Sequence, residues 1–149
     1  MKKLIINTSF GTPMYEAFTT LFKGIAEVVI FENNRKNSLP IAEQAFFFAA
    51  EGSINQNEAY WKTKESKESV FFGTIQKGYI KIAHEWFFTA FVCIKTEGKV
   101  YGAFTQGVIV PCLTDTIMEK QESVREEVLE KQYPNFEKTG LFSRLKTDI

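Results

Sequence analysis

Cysteine, histidine and proline are scarce in this chain: 2, 1 and 4 residues of 149. Cys93, Cys112 and His84 fall short of the ligand set and spacing of a structural zinc site. Both cysteines stand in strongly apolar stretches, so they read as inert, reduced thiols rather than as half of a catalytic Cys–His pair. Reduced thiols fit a cytoplasmic protein. Net charge is also absent, with 18 Lys+Arg against 18 Asp+Glu. The basic excess of a nucleic-acid binder is therefore missing, and so is an acidic tail. No apolar run is long enough for a membrane span: Trp86 to Ile94 is half the length and is broken by Thr89. The start, Met1 to Asn7, is too short for a signal peptide. No nucleic acid and no membrane are expected as partners.

What the chain has in quantity is phenylalanine, 15 residues, which with 5 Tyr and 2 Trp makes 15% aromatic. That points to a large packed core, or to a core plus an aromatic binding surface. The length suits one domain, 1–149, in which 133–149 form a docked tail through Phe136, Leu141, Phe142 and Leu145. Lys3 to Asn7 reads as a buried strand. Thr12 is a good N-cap and Pro13 a good first helical residue, for a helix with Met14, Ala17, Phe18, Leu21, Phe22 and Ile25 on one face. Glu27 to Phe31 is a second strand, so the opening is strand–helix–strand, the pattern of a parallel pair.

Pro40 is expected to open a second helix that ends between Asn55 and Trp61. Strands follow at Val70–Ile75, Tyr79–Ala83, Trp86–Ile94 and Val100–Val110. Trp86–Ile94 is apolar on both faces, as a central strand is. Gly102 and Gly107 suggest a bulge or a close backbone approach. After Pro111 a single long helix is expected through Leu113, Ile117, Val124 and Val128, with Thr116 to Glu119 as its capping box. The whole reads as an α/β domain with an elongated mixed sheet, a βαβ start, an antiparallel meander and flanking helices.

The turn through Thr8, Ser9, Gly11 and Thr12 is the best local candidate for a site. Its plain reading is a capped turn; its functional reading is a phosphate or carboxylate site at a helix N-terminus. It lacks both the P-loop lysine and the dinucleotide glycine pattern. Glu43 and Glu51 lie eight residues apart, about 80° apart around a helix and two turns in height. Each is either a solvent-facing glutamate or, if it faces a cleft, a magnesium ligand. Phe46, Phe47 and Phe48 cannot all face one core, so at least one belongs under a second layer, a partner or a ligand.

This order of elements resembles the inosine/xanthosine triphosphatase group of the Maf–Ham1 superfamily of nucleotide pyrophosphatases, over about residues 3–130. The family's Thr-Asn-x-x-Lys turn corresponds to Asn7-Thr8-Ser9-Phe10-Gly11-Thr12-Pro13. Its Pro, acidic helix and Gly-Ala-x-Asn-Arg motif correspond to the stretch from Leu39 to Ala49. Its Val-Gly-Ile-Glu-x-Gly strand corresponds to Phe72 to Tyr79. The departures are in the charged positions. The first-turn lysine is absent, the Asn-Arg pair is replaced by small and apolar residues, and the strand glutamate is Gln76 or is lost. The resemblance implies a degenerate scaffold of phage-like character that binds a purine-nucleotide-like ligand or a protein partner (a second copy or a host protein). Thr8, Ser9, Thr12, Gln76 and Lys77 would line its groove, with Glu43 at the edge. The alternatives are a Mg2+-dependent pyrophosphatase using Glu43 and Glu51, and a pure interaction module.

Overall fold

A computed structural model of the protein describes residues 2–7, 12–31, 39–136 and 141. Strand β1 (Lys2–Asn7) leads to helix α1 (Thr12–Leu21), which returns as β2 (Ala26–Phe31). Gly24, at φ +80, makes the turn between them. β2 pairs parallel with β1, from Lys2 opposite Ala26 to Asn7 opposite Phe31. Helix α2 (Glu43–Lys62) precedes β3 (Phe71–Ile82), which pairs parallel with β1 on its other side. β4 (Glu85–Thr96), β5 (Lys99–Phe104) and β6 (Val108–Ile109) complete a six-stranded sheet of order β2-β1-β3-β4-β5, in which β6 also pairs with β4. Two short helices, α3 (Asp115–Met118) and α4 (Glu122–Gln132), follow. The expected mixed α/β architecture with flanking helices is what the chain forms.

Strand alternation sorts the core into layers. On one face, Leu4, Ile6, Phe18, Ala26, Ile75 and Ala90 form a cluster with α1. Farther along the same face, Tyr79, Phe88, Val110, Leu113, Met118, Leu129, Tyr133 and Leu141 form a second cluster under α3 and α4. The opposite face is covered by α2, whose Ala50 and Ile54 pack on Cys93, Phe72 and Phe91. Each such fully buried apolar side chain contributes about 1.5–3 kcal/mol.

Several boundaries differ from the sequence expectation. Val70–Ile75 and Tyr79–Ala83 are parts of one long strand, and the hairpin turn falls at Ala83 and His84, both at positive φ (50 and 70). Gly78 is not a turn residue: a Cβ there would stand 2.2 Å from the Pro40 carbonyl oxygen, which accepts from the Tyr79 N–H at 2.9 Å. α2 begins at Glu43 rather than Pro40, because Pro40 and Ala42 are spent on this bridge to Tyr79. The expected long helix after Pro111 is two helices. Thr114, not Thr116, caps the first by accepting from the Ile117 N–H at 3.3 Å. Buried Arg125 closes the corner by donating to the Lys120 carbonyl at 2.6 Å. Leu21 and Ile25, expected in the core, are exposed at 68% and 58%. Gly102 and Gly107 admit aromatic rings, as expected of a close approach: a Cβ at Gly102 would lie 2.5 Å from Cζ of Phe91.

Candidate functional site

The sheet reverses direction of growth at β1. From β1 the chain crosses by α1 to β2 on one side, and β3 lies on the other side of β1. α1 packs on one face and α2 on the other. The carboxyl end of β1 is therefore a topological switch point, where helices diverge and open sheets leave a crevice.

Backbone pairing is short there. β1 and β3 pair at Leu4–Phe71 and Ile5–Phe72. Beyond that, fully buried Asn57 of α2 sits at the seam and donates its amide to the carbonyls of Ile5 (3.2 Å) and Gly73 (2.9 Å). Asn7, the last residue of β1, donates to Oδ1 of Asn57 (3.2 Å) and to Oγ of Ser53 (2.8 Å). These three polar residues hold α2 across the strand ends. A buried amide needs such partners, since leaving one unmade costs about 1–3 kcal/mol. β3 is next gripped on this side at Tyr79, by Pro40 and Ala42.

Between Gly73 and Tyr79 this edge of β3 is open: among the described residues no strand pairs with it. Ladder alternation fixes what it offers. Tyr79 turns its N–H and carbonyl to this side, so those of Lys77 and Ile75 point the same way. The Ala90 backbone confirms the phase, because its N–H and carbonyl turn away from Lys77 to Thr105.

The side chain of Lys77 emerges on the α1 face, between Ile75 of the first cluster and Tyr79 of the second. It is half-buried, and among the described residues it meets no carboxylate. Burial alone pushes its ammonium below the ordinary lysine range. A desolvated cation without a counter-charge favours an anionic visitor.

The other expected site residues are not gathered here. Thr8 and Ser9 lie outside the described residues; Thr12 opens α1, but its side chain lies outside them as well. Gln76 and Lys77 were expected to line one groove, yet adjacent strand residues face opposite ways. Gln76 is buried on the α2 side and donates to Oγ1 of Thr74 at 2.8 Å. Glu43 and Glu51 are exposed on α2, on the other side of the sheet from Lys77. Among the described residues no three His, Cys, Asp or Glu side chains gather as a metal site would require. Glu43 and Glu51, on the far side of the sheet, therefore bring no metal ligand to Lys77.

The remaining candidates resolve into structural roles. Burial raises both thiols above the ordinary range, so Cys93 and Cys112 carry little thiolate. His84 sits exposed at the hairpin tip, nine residues along the strand from Cys93, or about 30 Å. That tip is tied down by Asp115, which accepts from Lys81 Nζ (2.7 Å) and Trp86 Nε1 (2.8 Å). Those hydrogen bonds hold the Asp115 carboxyl below the usual carboxylate range. The Asn7–Ser53–Asn57 group escaped sequence reasoning. Its signal was available: Ser53 and Asn57 sit four apart, on the helix face that also carries Phe46, Ala50 and Ile54.

No described helix is long and apolar enough to cross a membrane. No protein-family model matches the chain, and no curated protein matches it. Among solved structures, the crystal structure of protein VC0702 from Vibrio cholerae matches over 99% of this chain and 83% of that one, with a TM-score of 0.60 at 15% identity. The likeness is one of fold, and it extends over nearly the whole domain.

Proposed function

We propose that the chain is a degenerate relative of the inosine/xanthosine triphosphatases that binds a purine-nucleotide-like ligand in the crevice at the carboxyl end of β1. The observation that carries this is Lys77, a half-buried cation on β3 between the two apolar clusters, with no carboxylate beside it among the described residues. Its ammonium would receive a phosphate oxygen. The N–H and carbonyl groups of Ile75 and Lys77, which no described strand pairs, offer the mixed donor and acceptor edge that a purine base presents in return.

The family's Gly-Ala-x-Asn-Arg motif also finds a better counterpart in Gly52-Ser53-Ile54-Asn55-Gln56 than in the stretch ending at Ala49. Ser for Ala keeps a small buried residue, which here touches Asn7 at the end of β1. Gln for Arg removes a charge, and Gln76 for the strand glutamate removes a metal-holding carboxylate. Both changes favour binding over magnesium-dependent hydrolysis.

Calorimetric titration with inosine triphosphate and with inorganic triphosphate tests the reading. The wild type is expected to bind the nucleotide, and Lys77→Met to weaken it about 10–100-fold, the cost of a charged hydrogen bond. Absence of heat with every purine nucleotide, or equal affinity in Lys77→Met, would sink it. Nucleotide binding with release of pyrophosphate would instead make the protein an enzyme.

A further inference from the structure

We propose that the outer edge of β5 receives an extended, basic segment of another protein, which adds a strand to the sheet beside the acidic flank of α2. β5 ends the strand order, and among the described residues no strand pairs with its far side. The ladder phase fixes what that side offers. The Ala90 N–H and carbonyl turn toward Thr105, so those of Val92, Ile94 and Thr96 turn toward β5 as well. Their partners Ala103, Tyr101 and Lys99 face inward. Val100, Gly102 and Phe104 therefore hold their N–H and carbonyl groups outward, at strand spacing. A polypeptide backbone repeats donor and acceptor at that same spacing, so the edge selects an extended chain. Nothing blunts it. Edge strands are usually guarded by a proline, a charge or a bulge. From Val100 to Phe104 there is no proline and no charge, and the ladder to β4 runs without a break. Val100 and Tyr101 are 60% and 57% exposed.

α2 decides which segment fits. Val100, Gly102 and Phe104 lie on the sheet face that α2 covers, opposite Lys95, Cys93 and Phe91 of β4. Phe47 of α2 packs on Phe91 and Phe104, so its side of the helix overlooks β5. Glu43, Glu51 and Glu58 all lie within about 40° of Phe47 around an ideal helix. Glu58 is taken by Lys95 at 2.6 Å. Glu43 and Glu51 are exposed and have no ion-pair partner among the described residues. The helix holds no basic residue before Lys62, a turn past Glu58. The flank is therefore acidic, with two charges uncompensated.

The levels along the strand give a pattern. Phe47 is level with the Phe91–Phe104 pair, and Glu58 with the Lys95–Val100 pair. Glu51 stands about 6 Å past Phe47 along the helix, and Gly102 about 6.6 Å from Phe104 along the strand, so the two share a level. The Phe91 ring lies across Gly102. An added residue opposite Gly102 can lay a long side chain over that ring and carry its end toward Glu51. Lysine and arginine meet both needs. Residues two places to either side, opposite Val100 and Phe104, meet apolar surface. The segment thus has the pattern apolar-x-basic-x-apolar. A second copy of β5 fits badly, because continuing the sheet about a twofold axis sets the two acidic flanks against each other.

The probe is the acetylated and amidated peptide Thr-Val-Thr-Lys-Thr-Val-Thr, whose alternation is the same in either direction. Titrated into the full chain and followed by amide NMR, it is expected to shift the Val100, Gly102 and Phe104 resonances and to slow their amide exchange. Val100→Pro removes an outward N–H and leaves the ladder to β4 whole, so it should abolish the shifts at unchanged melting. Glu51→Lys, at an exposed position, should weaken the peptide about tenfold, and a peptide with glutamate in place of lysine should recover that loss. This charge exchange decides the matter alone if Val100→Pro melts early. No shift in β5 at millimolar peptide overturns the proposal, and so does a peptide that binds a folded Val100→Pro as tightly as the wild type. Equal affinity in Glu51→Lys, or no recovery with the glutamate peptide, overturns the basic segment. Protection of the same amides that grows with protein concentration, without peptide, gives the edge to a second copy and overturns it as well.

Discussion

Strand β3 has two seams of opposite construction. Toward β4 it pairs continuously, from Phe72–Lys95 to Ile82–Glu85, closed by a two-residue turn. Toward β1 it pairs at two positions and is then held by side chains of α2 and by the Pro40 bridge. The first seam is local in sequence and made of backbone. The second joins residues 52 and 67 apart, and beyond its two strand pairs it relies on one buried asparagine and the Pro40 bridge. Among the described residues, the backbone groups of β3 that no strand pairs lie on the second seam.

Removing the asparagine should have the largest effect. Asn57→Leu keeps similar volume but strands the carbonyls of Ile5 and Gly73 and takes one acceptor from the Asn7 amide. A loss of about 3–5 kcal/mol in urea unfolding is expected. Amide exchange should then accelerate in β1 before it does in β3 and β4. Uniform acceleration would erase the contrast between the seams. A comparable polar deletion on the continuous seam, Thr74→Val, takes one acceptor from Gln76. It should cost about 1–2 kcal/mol and leave β1 exchange unchanged relative to β4.

A stabilising change is expected at the bridge. Ala42 sits at φ 92, a region that favours glycine. Ala42→Gly should add about 1 kcal/mol to the unfolding free energy, because the relieved strain outweighs the added chain entropy.

The smallest stability effect, and the most specific, belongs to Lys77. Its ammonium is depressed in the folded state, so the unfolded chain holds its proton more tightly and stability rises with pH across that interval. At neutral pH, Lys77→Met should therefore gain less than about 1 kcal/mol. That gain should shrink as pH climbs toward the ordinary lysine value of 10.5. A gain that does not vary with pH would place its origin in packing rather than charge.

Much of the fold is legible in the sequence. The strand–helix–strand opening, the central β4 and the ring-receiving glycines Gly102 and Gly107 all follow from local composition. The errors share a cause, which is that one residue type serves two purposes. The break expected between Ile75 and Tyr79 holds Gly78, which makes room for Pro40, while the actual turn uses Ala83 and His84 at positive φ, where glycine or asparagine is usual. A continuous apolar pattern from Leu113 to Val128 hid the break that Arg125 closes. For the proposed site, the sequence shows where its residues stand along the chain but not which of them share a face. Lys77 follows from the strand, but strand period excludes Gln76 from the same groove, and Asn57 matters through contacts no local pattern encodes.

The Pro40 bridge has a further consequence. Tyr79 holds the entrance to α2 through its backbone, while its ring, 5.4 Å from that of Phe88, belongs to the cluster under α3 and α4. One residue is thus the axle between the helix behind the sheet and the lobe in front of it. A shift at the start of α2 would therefore pull on Tyr79 and, through its ring, on the cluster under α3 and α4.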